Sequence, residues 1–174
     1  MDEPSLRWLA GQGVSFIALA LCVIAFASKR DDRLFVLLLF ANVAFAAQFA
    51  LFQSWVAAGI SALIVLRIAL ARRFPGNLAV MLMMLIAILA IAALTWSGPR
   101  DMPALAAGLL GTYGMFMLRG IPMRVILAAA ALCWIASNLL AGSIGGLLAE
   151  SLIFVTNAIT IRRLRRDVLL CGSY

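Results

Sequence analysis

Arg67 and Glu150 each interrupt an apolar run long enough to lie in hydrocarbon. A charge at that depth is expensive and turns toward the protein interior or a water-filled cavity. Glu150 falls about a turn short of the middle of the run 144–161. It could bind a proton, accept from a cationic or hydroxylated solute, or lock helix packing as a paired carboxyl. Asn138 and Gln48 lie at similar depth in the runs 125–141 and 34–52 and are its expected partners. Arg67 lies about 6 Å past the midpoint of the run 55–71. It could snorkel toward the Arg72 level or meet an anion. It differs from Glu150 by about 10 Å in depth, so direct pairing is not expected. Asn157 and Thr156 stand at the Arg67 level of the last run, and Asn42 and Trp134 near mid-depth. Trp134, one turn from Asn138, either packs or stacks on a sugar-like ring. The candidate cavity residues are therefore Asn42, Gln48, Arg67, Trp134, Asn138, Glu150 and Asn157.

Other chemistries have little to work with. The chain has no histidine, which removes His-based triads and His metal or haem ligation. Cys22, Cys133 and Cys171 form no CxxC pair, so neither a disulfide framework nor a zinc site is indicated. The first two read as small apolar fillers and the third as a tail thiol. An enzyme would need a convergent nucleophile, base and oxyanion site, and Glu150 is the one buried base available. No enzymatic activity, cofactor or metal is expected.

The elements that must position these residues are transmembrane helices. Of 174 residues 66% are hydrophobic and 12% charged, against about 45–50% and about 25% in soluble domains. A soluble domain this short could not hide so much apolar surface. Apolar runs cover about 9–27, 34–52, 55–71, 78–96, 103–118, 125–141 and 144–161. The prolines cluster in the breaks, where no helical hydrogen bond is lost. Continuous rather than alternating runs favour helices over a barrel. Ala25-Phe26-Ala27 resembles a cleavage site, but the acidic start Met1-Asp2-Glu3 lacks a signal peptide's positive charge, so the first helix reads as retained. The expected fold is all-α: a polytopic membrane protein of seven transmembrane helices.

Charge sets the orientation. With the N-terminus outside, twelve cations fall on the cytoplasmic side: Lys29, Arg30, Arg33, Arg67, Arg72, Arg73, Arg119, Arg124, Arg162, Arg163, Arg165 and Arg166. Arg7 and Arg100 stay outside, where Trp8, Trp55 and Trp96 form the aromatic belt. The net charge of +7 is thus accounted for without nucleic acid. The expected orientation is N-terminus out and C-terminus cytoplasmic, with the tail Arg162–Arg166 also touching anionic lipid.

An offset of 90 residues lays the first three runs on the last three. Arg72-Arg73 falls on Arg162-Arg163, Ser61 on Ser151, Val65 on Val155, Phe26 on Phe116, Lys29 on Arg119, Gln48 on Asn138 and Arg67 on Asn157. Helix and loop lengths stay in register with them. The fourth helix then serves as an inverter, giving a 3+1+3 parallel repeat. The units are residues 1–76, an inverter helix in 77–101, and 102–174 with the basic tail. Gly108, Gly111 and Gly114 form a small-residue stripe suited to close helix contact.

This 3+1+3 plan, the N-out orientation and the very short second and sixth loops resemble the SWEET/SemiSWEET and PQ-loop superfamily. Within it, the small size and basic tail are most similar to the bacterial YgjV-type inner membrane proteins. In sugar-transporting members a pair of asparagines on the third and seventh helices faces the substrate, and the register puts Arg67 and Asn157 there. The resemblance implies a transporter of a small polar solute, sugar-like or another metabolite, working by alternating access between the two units. The alternative is a non-transporting membrane protein of the same fold, a receptor-like binder or assembly factor. The expected partners are membrane lipid and the solute; a homo-oligomer is an open option.

Overall fold

In a computed structural model of the chain, residues 3–27 and 31–171 are described, with side chains over 6–25 and 36–166. Lys29, Arg30, the Phe26–Phe116 and Lys29–Arg119 correspondences, and the side chains of Arg33 and Cys171 lie outside these. The described residues form seven α-helices and one 3₁₀ turn, with no strand. The helices are α1 Glu3–Ala27, α2 Asp31–Leu51, α3 Trp55–Arg73, α4 Leu78–Thr95, α5 Met102–Met117, α6 Gly120–Ala141 and α7 Ile144–Cys171. Five are long and apolar enough to cross a membrane: α1, α3, α4, α6 and α7. The described apolar part of α2, Val36–Leu51, and the whole of α5 are shorter.

Several boundaries differ from the sequence expectation. Most of the break Arg119–Arg124 is helix, because α6 opens at Gly120. Pro122 in its first turn loses no helical bond there and is tolerated. The basic stretch after Ile161 continues α7 to Cys171, since arginine and leucine are good helix formers.

Each helix packs on its chain neighbour, so successive helices run in opposite directions. One end of the bundle gathers the α2–α3, α4–α5 and α6–α7 turns with Trp8, Trp55 and Trp96, all half-exposed. We call it the tryptophan end. The opposite, arginine end carries Arg72, Arg73, Arg119, Arg124 and the C-terminal part of α7. Six helices close a ring: α1 on α2, α2 on α3, α3 on α5, α5 on α6, α6 on α7, and α7 back on α1. α4 packs outside it, across the α3–α5 seam. Its outer face, with Leu82, Met83, Ile86, Leu89 and Leu94, is exposed and wholly apolar, as a helix facing lipid should be.

Small residues let the ring close. Ala18, Ala41 and Ala149 are fully buried where α1, α2 and α7 meet, and a Cβ on Gly145 would strike Ser15 of α1. On α5, Gly108 faces Ile60 and Gly111 faces Arg67, both on α3, whereas Gly114 faces Ile126 of α6. The glycine stripe thus serves two interfaces. Steps of three fall about 60° short of a full turn each, so the stripe winds from one neighbour to the next.

Candidate functional site

The α6–α7 turn sets the heights of the polar residues. Gly142 ends α6 in the left-handed region at φ 74°, a conformation that costs other residues about 1–2 kcal/mol. Ser143 then caps α7, its Oγ accepting from the Gly146 N–H at 3.1 Å. Gln12 of α1 clasps the same turn, donating to Gly142 O at 2.6 Å and accepting from Ile144 N–H at 3.1 Å. This cross-link closes the α1–α7 seam at the tryptophan end.

One layer deeper, Gln48 of α2 donates to Asn138 Oδ1 of α6 at 2.7 Å. Asn138 in turn donates to Trp134 O at 3.0 Å. Both amides are almost completely buried, and Gln48 Oε1 has no partner. A Cβ on Gly146 would overlap both of them, so α7 can approach this pair only through a glycine. Beneath it the Trp134 and Phe49 rings pack tilted at 33°, centroids 5.7 Å apart.

Below that layer is a cavity of about 160 Å³ reached from α2, α3, α5, α6 and α7. Asn42, Arg67, Trp134, Glu150 and Asn157 line it, on an apolar wall including Ile64, Leu127, Ala131 and Ile153. Five of the seven expected residues therefore share one cavity, and Gln48 and Asn138 sit against its tryptophan-end side. The expectation that those two amides would bond Glu150 is corrected: they bond each other, and Glu150 makes no hydrogen bond or ion pair among the described residues. Depth along a helix was legible; azimuth around it was not.

Arg67 does not snorkel. It is only 7% exposed, its Nη1 approaches Gly108 O at 3.5 Å, and its Nε has no partner. Gly108 lies toward the tryptophan end of α5, so the guanidinium points to mid-bundle, away from Arg72. Side-chain stems lean toward a helix's N-terminus, and that of α3 is the tryptophan end. The bare face of Gly111 provides the space, since a Cβ there would meet Arg67 Nη1 at 2.5 Å. Arg67 and Glu150 thus border one cavity without forming an ion pair.

Sequence reasoning counted Arg124 only as a topology charge. It reaches up from the first turns of α6, its Nη1 donating to Asn157 Oδ1 at 3.3 Å, and so ties α6 to α7 at the arginine end of the cavity. Pro122 had hidden that α6 begins before it. Gln12 was also missed, although a glutamine inside an apolar run is itself a signal.

A second cavity, about 270 Å³, opens at the tryptophan end between the α2–α3 turn, the α4–α5 turn and the end of α6. Gln53, Ser54, Ser97, Arg100, Asp101 and Ser137 make it polar. Asp101 is held in place by Ser97, whose N–H and hydroxyl both donate to its Oδ2 at 2.8 Å. Ser137 lines this cavity and Trp134 the inner one, one turn apart on α6.

Compared with protein families, residues 9–168 match Imp-YgjV, described as a bacterial inner membrane protein. The chain belongs to that family. Membership and the five long apolar helices place it in a membrane. Comparisons with curated proteins and with solved structures gave no match. Among the described residues no group of three or more His, Cys, Asp or Glu could hold a metal ion.

Proposed function

We propose that this family member is a small-solute carrier, non-enzymatic, that alternates access between two three-helix units, α1–α3 and α5–α7, with α4 as the inverter. The observation that carries the reading is the inner cavity of about 160 Å³ bordered by the buried Arg67 and Glu150. A polar 270 Å³ vestibule lines up with it about one turn away on α6, Ser137 facing the vestibule and Trp134 the inner cavity. In this reading the Gln48–Asn138 bond and the Trp134–Phe49 contact form the barrier between the two. A packed scaffold has no need of a buried arginine and glutamate facing a void, because lipid-embedded charge is retained where it serves a pathway.

The pairing of helices supports the parallel repeat. Under the 90-residue register α1 maps on α5 and α7 is the image of α3, so the α1–α7 and α3–α5 contacts are equivalents. The bonded pair Gln48 and Asn138 is itself 90 residues apart. Two equivalent positions can touch only near the axis relating the units. The exposed tryptophans at one end and the arginines at the other support N-out, C-in, with seven spans.

The test is uptake into vesicles containing the purified full chain, using a panel of labelled neutral, zwitterionic and singly charged solutes. Saturable uptake of one class, abolished in Glu150→Gln, is expected. Flux no greater than in protein-free vesicles across the panel would sink the carrier reading and leave the scaffold reading in its place.

A further inference from the structure

We infer that the inner cavity takes a small zwitterion, an amino-acid-like solute whose carboxylate meets Arg67 and whose ammonium meets Glu150. The inference rests on reading this cavity as the solute site. Size comes first: about 160 Å³ is the share of about five liquid waters and lies below the about 300–1,000 Å³ of drug-sized ligand pockets. A solute of a few heavy atoms is enough to fill it.

Charge narrows the class. Arg67 is 7% and Glu150 9% exposed, on different helices and different walls of the cavity, without an ion pair to each other. Arg67 spends one Nη1 contact at 3.5 Å on Gly108 O and leaves Nε without a partner. Its fork geometry suits a carboxylate bidentately, and an unmade bond to a buried charge is costly. Glu150 offers only acceptors when ionised, which suits an ammonium group. A simple anion would satisfy Arg67 but face the Glu150 carboxyl, a simple cation would do the reverse, and a neutral polyol would leave neither charge with an opposite charge in direct contact. A zwitterion lying along the Arg67–Glu150 direction satisfies both and adds no net charge to a low-dielectric site.

The full chain in detergent is titrated with glycine, β-alanine and γ-aminobutyrate, and in parallel with propionate and ethylammonium, reading Tm. At least one zwitterion should raise Tm at concentrations where the two single-charge analogues do not. Arg67→Gln and Glu150→Gln should each weaken that zwitterion by about tenfold or more. They should also exchange preferences: Arg67→Gln toward ethylammonium, Glu150→Gln toward propionate. Mere loosening of the fold would not invert a preference. If Arg67→Gln does not fold, Arg67→Lys must keep the zwitterion preference at reduced affinity, and loss of that preference overturns the inference. If propionate shifts Tm as strongly as the zwitterions, and Glu150→Gln leaves this unchanged, the zwitterion class is refuted while the solute site stands. If no zwitterion shifts Tm, the inference falls; whether the carrier reading falls with it is read separately, from vesicle uptake of neutral and singly charged solutes.

Discussion

Gly146 is a position where one methyl group should be felt strongly. Its Cβ would overlap the Gln48 and Asn138 amides, so Gly146→Ala must break their bond or push α7 away. A lost buried bond costs about 1–3 kcal/mol, and the variant should melt measurably below wild type in detergent. Gly13→Ala is the control, since a Cβ there meets nothing within 4 Å. If both behave alike, the amide pair is not a tight node. Gly111→Ala should separate fold from site. The added carbon meets the flexible tip of Arg67 rather than backbone, and alanine is about 1 kcal/mol better than glycine in a helix interior. Tm should hold or rise while solute binding weakens; a fall in Tm with binding intact would contradict the placement of Arg67. That Arg67, Glu150 and the amides matter was legible in the sequence, because each is costly where it stands. Their pairing was not. Gln48, Asn138 and Glu150 lie within about one turn of each other in depth, and which two of the three meet depends on the direction each faces around its helix.

The α6–α7 turn carries the element-scale argument. Gly142 at φ 74°, the Ser143 cap and the Gln12 clasp all act on this connection. Ser143→Ala removes a cap worth about 1 kcal/mol, and Gly142→Ala imposes left-handed strain of about 1–2 kcal/mol. Both should lower Tm by similar amounts, and because the two residues are adjacent and both N–H groups bond Asn138 O, their effects should couple, the double variant losing less than the sum. Full additivity would show that the cap and the left-handed turn act independently. Hydropathy located the apolar segments, since lipid-facing helices must be apolar. Helix ends were less legible: Pro122 reads as a breaker yet sits in the first turn of α6, and the arginines after Ile161 read as a stop yet continue α7.

At the scale of the molecule, with Arg67 buried at mid-bundle, the remaining eleven-to-two division of cations predicts that a reporter fused to the C-terminus reads as cytoplasmic; a periplasmic reading would break either the odd span count or the orientation. The ring with α4 outside it has a further consequence. The Gln48–Asn138 contact joins two primary amides, and an amide carries a donor and an acceptor at once. It is therefore one of the few uncharged groups able to bond its own copy across a dyad. Under the parallel repeat proposed above, a half-length homodimer closes through such a contact, and tandem fusion through α4 frees the two copies to diverge into glutamine and asparagine. The unpartnered Gln48 Oε1 is what that divergence would leave behind. If the join is only a tether, two separately expressed pieces, 1–76 and 77–174, should find each other in the membrane and copurify; pieces that never associate would argue against that descent.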